Sequence, residues 1–190
     1  EAAEHAAAAF DRAGALAVLI ADASALASLE RRYGGDAHDG ALAGLAAILA
    51  AACEEIVPGR AVLARGEIGR GEIVALLPCA PAERELFSKG LPAIERAVRA
   101  ELMRQGARVV HPYLRELPPV PIGRAYRLRN PMLSELTQIR DAIDAARTDA
   151  ELNLRNDARA RRRHFEDLLV HERVYSVYEP IVDADTLTVF

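Results

Sequence analysis

Residues 16–21, Leu-Ala-Val-Leu-Ile-Ala, form an unbroken apolar run that ends at Asp22. A run this short and uniform predicts a strand buried on both faces, with a carboxylate at its C-terminal edge, where open α/β sheets bind ligands. Residues 24–32 read as a helix. After the Gly34-Gly35 turn, a second helix over about 39–55 puts Leu42, Leu45, Ile48 and Leu49 on one face, and Pro58-Gly59 stop it. Two strand-like runs, 61–65 and 72–77, flank Gly66-Glu67-Ile68-Gly69-Arg70-Gly71, the pattern of a hairpin with a special turn. A helix over about 82–105 follows, then strand-like Val109-Val110, a connection through Pro118, Pro119 and Pro121, and a strand over 122–128. From Ser134 to about Arg173 breakers are scarce, and Leu136, Ile139, Ile143 and Ala146 recur at helical spacing, which predicts one long connecting helix or two abutting ones. The final stretch, 174–190, alternates Val, Tyr, Ile and Thr around Pro180, Asp183 and Asp185 and reads as strand, turn, strand.

This order predicts an α/β (α+β) chain: a mixed central sheet flanked by helices, a long C-terminal linker helix and a terminal strand pair. Two strands do not make a domain alone. The 190 residues, 51% hydrophobic and 27% charged, suit one domain with additional segments. A net charge of −4 offers no global field for nucleic acid or acidic membranes, so any anion site must be local. The basic run Arg159, Arg161, Arg162, Arg163 and His164 has Asp157, Glu166 and Asp167 beside it and reads as a solvated helix face, not a nucleic-acid surface. Cys53 and Cys79 have no CxxC spacing and read as buried, reduced thiols, which fits the cytoplasm. The five histidines show neither HxxxH nor His-Cys spacing, which disfavours zinc. No apolar run reaches the roughly 18 residues that span a bilayer, so no membrane contact is expected of this segment, although a parent protein could carry spans elsewhere.

The string GRGEIVALLP, residues 69–78, resembles the signature hairpin of GGDEF domains, the fold of bacterial diguanylate cyclases, with GGDEF rewritten as GRGEI. Upstream, ADASALASLERRYGGDAHDGAL, residues 21–42, is similar in register to that family's DxDxFKxxNDxxGHxxGDxxL. The resemblance implies that Asp22 matches the first metal-binding Asp, Asp39 the Asp that recognises guanine, and Glu72 the acidic fourth position of the signature. Glu30 stands where a guanine-binding Asn is usual, Ala27 where Lys is usual, Arg70 at the second Gly and Gly71 at the acidic third position. DAIDAARTDAE, residues 141–151, resembles the closing helix, with Arg147 in place of a phosphate-contacting Lys and Glu151 in place of a later Arg. The inhibitory product site, RxxD before the hairpin, is implied to be lost, because Arg60 matches but Leu63 takes the Asp position. The opening DxLTGLxNR is also missing, so the chain begins inside the domain or the motif has been lost.

Cyclase chemistry is attack of a ribose hydroxyl on an α-phosphate, and divalent metals must neutralise the developing charge through carboxylate oxygens. Gly71 supplies no such oxygen, and Arg70 puts bulk where backbone should approach the nucleotide. The resemblance therefore implies no useful cyclase activity, with no catalytic residues. The tentative nucleotide-binding set is Asp39, Gly69, Arg70, Glu72 and Arg147, and Asp22 is the tentative metal ligand. No cofactor is required, and Mg2+ enters only if GTP binds. Arg70 is either a fixed cation beside a phosphate or, with Glu72, a solvated hairpin residue. Asp22 and Asp39 have plain readings as a strand-end carboxylate and a helix N-cap.

VYSVYEPIVDADTLTVF, residues 174–190, resembles the opening of EAL phosphodiesterase domains, with Glu179 in place of the usual Gln and the chain ending before the glutamate that names the motif. The expected division is a degenerate GGDEF-like domain over 1–150, a linker helix over 151–173 and EAL opening strands over 174–190. The function implied is an inactive regulatory module of a bacterial cyclic di-GMP signalling protein, able to bind a guanine nucleotide and to control an attached EAL domain. The alternatives are a dimerisation or interaction module that binds no nucleotide, and a diverged active cyclase. A homodimer is expected, because the family's active site needs two facing domains and the linker helix has an apolar stripe.

Overall fold

The computed structural model describes residues 2–66 and 70–171. Helix α1 (Ala2–Ala13) leads into β1 (Ala15–Asp22). A 3-10 turn (Ser24–Leu26) and α2 (Ala27–Tyr33) precede α3 (Gly35–Ile56). Strands β2 (Val62–Arg65) and β3 (Glu72–Cys79) form the hairpin. After a π-helical turn (Leu86–Gly90) come α4 (Leu91–Val110), β4 (Ile122–Leu128) and α5 (Glu135–Val170). The chain divides into two compact units, Glu1–Leu154 and Arg155–Phe190.

The sheet of the first unit runs β2-β3-β1-β4. The crossover from β1 through α2 and α3 skips the place of β3, and the crossover from β3 through α4 skips the place of β1. This is the split βαβ, ferredoxin-like arrangement. The expected α/β layout of helices against a central sheet holds. Within the sheet the pairing is antiparallel throughout rather than mixed, because each crossover leaves room for one strand of opposite sense between its ends.

Strand β1 is uniformly apolar because it feeds two cores. Ala15, Ala17 and Leu19 join Ile73, Ala75 and Leu77 under α3 and α4, whose buried stripes include Leu45, Leu49, Ile94 and Val98. Leu16, Val18 and Ile20 join Val74 and Leu76 on the other face, covered by Ala6 and Phe10 of α1 and by Ile139, Ala142, Ala146 and Ala150 of α5. The Ala-rich start carries no strong sequence signal of its own. It is helical because Ala6 and Phe10, one turn apart, close the second core.

Val109 and Val110 end α4 instead of forming a strand. Val110 is fully buried and continues the helical stripe, and Val109 packs over Gly44 of α3. Tertiary packing overrides the β preference of the two valines. Pro92 falls in the first turn of α4, where an N–H has no partner to lose.

Gly123 lets α5 lie directly on the edge strand. A Cβ there would stand 2.0 Å from the Ala146 carbonyl oxygen and 2.4 Å from the Ala150 nitrogen. Around this contact α5 covers the open edge of β4: Asp149 accepts the Arg124 N–H at 2.9 Å, and Asn153 donates to the Ile122 carbonyl at 2.9 Å. The packed part of α5 thus reaches Asn153, three residues beyond the expected domain end at 150.

In the second unit the structure describes 155–171, helical through Val170. Arg162 pairs with Glu166 one turn on at 2.9 Å, and Phe165 and Leu169 are exposed. The EAL resemblance at 174–190 lies outside the described residues. Among the described residues no helix is long and apolar enough to cross a membrane.

Candidate functional site

A cleft of about 340 Å³ opens at the hairpin end of the sheet. Helix α2 contributes Glu30, α3 contributes His38 and Asp39, and the hairpin contributes Arg65, Arg70 and Glu72. The volume lies within the range of small-molecule clefts, and the lining mixes carboxylates with guanidinium groups.

Asp39 lies beyond the first turn of α3, whose N-cap is Gly34, so the N-cap reading of Asp39 does not hold. Its carboxylate accepts a 3.0 Å hydrogen bond from Arg65, and both side chains are largely exposed. A pair this wet contributes little to stability and leaves both groups available for exchange with a ligand. Arg70 lines the same cleft, and Gly69 lies outside the described residues.

Gly71 holds a φ of +63°, a conformation that L side chains rarely adopt, and its carbonyl accepts the Ala23 N–H at 3.0 Å. A Cβ at this position would approach the Ala23 carbonyl oxygen to 3.3 Å. Glycine at position 71 is therefore matched to this turn.

Asp22 and Glu72 are register partners across the β1–β3 ladder. One Asp22 oxygen accepts the Ser24 N–H at 2.8 Å and shapes the exit from β1, so the plain reading of a strand-end carboxylate accounts for that contact. Glu72 is 4% exposed. Its Oε1 and Oε2 accept hydrogen bonds from Arg147 Nε and Nη2 at 2.7 and 2.9 Å, a bidentate clamp between the hairpin and α5. Arg147 also pairs with Asp144. The hydrogen bonds that Arg147 donates to Glu72, more than any other contact, raise its pKa above the ordinary value and keep the guanidinium charged.

Arg147 thus faces the Glu72 carboxylate of the hairpin and is not among the residues that line the cleft. It lines a neighbouring groove of about 600 Å³ between α5 and the β2–β3 hairpin, together with Val74, Ile139 and Ile143. The expected nucleotide set is split accordingly. Asp39, Arg70 and Glu72 converge on one cleft, while Arg147 reaches it only through Glu72. Sequence reasoning missed Arg65 and His38 as lining residues, although Arg65 directly precedes the Gly66 that opens the turn.

The described residues do not fit a divalent metal. Both Glu72 oxygens are held by Arg147, an Asp22 oxygen is held by a backbone N–H, and Gly71 has no side chain. Among the described residues no group of three or more His, Cys, Asp or Glu side chains gathers as a metal site. Arg60 pairs with Glu83 and lowers the pKa of that carboxyl, and Leu63 packs against the core.

No protein-family model matches the chain, and no curated protein matches it. Among solved structures, the crystal structure of the GGDEF domain of the PA2567 protein from Pseudomonas aeruginosa is similar. The TM-score is 0.49 and the identity 21%, over 84% of this chain and 86% of that one.

Proposed function

We propose that this chain is a catalytically inactive GGDEF-like regulatory module of a bacterial cyclic di-GMP signalling protein, which binds GTP without turnover and controls an attached EAL phosphodiesterase through α5. The observation that carries this reading is the division of labour around Glu72. The cleft keeps carboxylates on α2 and α3 that match the N–H groups of a guanine edge, and guanidiniums on the hairpin that match phosphates, while the carboxylate a metal would need is spent on Arg147.

The chain supplies binding and orientation in this account. Asp39 releases Arg65 to the phosphates and accepts from the base, Glu30 offers a second acceptor, and Arg70 stands at the hairpin as a fixed cation. Any Mg2+ that enters does so on the nucleotide's own phosphates. With both Glu72 oxygens held by Arg147 and no metal-holding group gathered among the described residues, the attacking hydroxyl is not activated and the nucleotide stays intact.

The exposed Phe165 and Leu169 favour a second reading beside the first: homodimerisation through the distal part of α5, with the fold kept as an interaction module. Calorimetric titration of the chain with GTP, with cyclic di-GMP for comparison and Asp39→Ala as control, separates the two. Saturable GTP binding that is lost in Asp39→Ala supports the nucleotide reading. No heat at millimolar GTP overturns it in favour of the interaction module.

A further inference from the structure

Asp22 and Glu72 leave opposed positions of an antiparallel ladder, so both carboxylates start from the same face of the sheet. Like charges placed this way are unfavourable without a cation between or beside them. A divalent metal is the cation that the resemblance of Asp22 implies, and the donor set does not accommodate it.

We propose that Arg147 is the built-in cation of Glu72, a guanidinium that takes the place of a divalent metal on this carboxylate and closes it to one. Both Glu72 oxygens are engaged in parallel hydrogen bonds, and the side chains of Glu72 and Arg147 are 4% and 16% exposed, so the pair is shielded from exchange with solvent ions. The remaining Arg147 nitrogen is tied to Asp144, which fixes the fork in position. Glu72 lines the cleft and Arg147 the neighbouring groove, and both cavities share Arg65 and Gly66, so the ion pair is the partition between them. A metal reaching Glu72 would have to expel Arg147 from the α5 turn that begins next to Ala146, the residue seated on Gly123. Metal binding at Glu72 and the Glu72–Arg147 ion pair are therefore mutually exclusive.

The test is a Mn2+ titration of the full chain, with free Mn2+ followed by electron paramagnetic resonance. No nucleotide is present, so this result stands apart from whether the cleft takes GTP. The wild-type chain is expected to take up no Mn2+ in the millimolar range. Arg147→Met should bind Mn2+ at least about tenfold more tightly than wild type. That gain should vanish in Arg147→Met/Glu72→Gln, and Arg147→Lys, which keeps a cation, should exclude the metal as wild type does. Saturable Mn2+ binding by the wild type that Glu72→Gln abolishes overturns the proposal. So does an Arg147→Met chain with wild-type circular dichroism and no gain. Should Arg147→Met fail to fold, the comparison of wild type with Glu72→Gln decides alone: binding removed by the substitution overturns the proposal, and no binding by either chain supports it.

Discussion

Glu72 and Arg147, 75 residues apart in sequence, meet through two parallel hydrogen bonds of 2.7 and 2.9 Å at the junction of the β2–β3 hairpin and the long helix. Removing one partner of such a pair leaves the other charge buried without compensation, which typically costs about 3–5 kcal/mol. Arg147→Met should therefore destabilise the chain by an amount of that order in urea unfolding. Asp141→Ala removes the wet Arg127–Asp141 pair, whose atoms are 3.7 Å apart, and should change stability by under about 0.5 kcal/mol. Equal effects of the two substitutions would contradict the assignment.

Gly123→Ala is expected to be the most damaging single methyl in the fold. The added carbon would overlap the backbone of α5 at Ala146 and Ala150, and no rotamer can relieve a clash with a main chain. Helix and strand must separate, which forfeits the cover of Asp149 and Asn153 over the β4 edge. A loss of at least about 3 kcal/mol in thermal unfolding is the predicted result.

Arg65→Ala separates stability from binding. Both members of the Arg65–Asp39 pair are exposed, so the melting temperature should barely move. Loss of a charge-assisted phosphate contact should weaken GTP binding about tenfold, roughly 1.4 kcal/mol, in the same calorimetric titration used for Asp39→Ala.

Burial raises the pKa of the Cys53 thiol from its ordinary 9.0 to about 11. The folded state thus holds a proton that the unfolded state releases first. The resulting stability is complete below about pH 9 and is lost as pH rises toward 11, on the order of 2 kcal/mol by the upper end. Cys79 is raised in the same direction, with burial the largest cause. Urea midpoints from pH 8 to 11 should fall more steeply for wild type than for Cys53→Ala, and a thiol reagent at pH 8 should label neither cysteine before unfolding.

The sequence made the sheet legible where burial was two-sided or the turn chemistry was strong. The apolar run before Asp22, the Gly-rich hairpin and the strand over 122–128 all appear at or near the expected positions. The helical nature of 109–110 and of the N-terminal alanines was not legible, because both depend on what packs against them rather than on local preference. The cleft was partly readable, since the resemblance alone put Asp39, Arg70 and Glu72 at one site and the structure gathers them in one cleft. The Glu72–Arg147 clamp was not, because a contact between residues so far apart leaves no periodic signal. Arg147 was expected at a phosphate, and the structure places it against the carboxylate instead.

We propose that the cleft holds GTP and does not convert it. The most direct measurement is incubation of the chain with α-labelled GTP and Mg2+, followed by separation of the protein-bound fraction and identification of its label. The account predicts bound, intact GTP with no cyclic di-GMP and no pyrophosphate released. Cyclic di-GMP formation would contradict the loss of turnover, and a protein fraction free of label would contradict the binding.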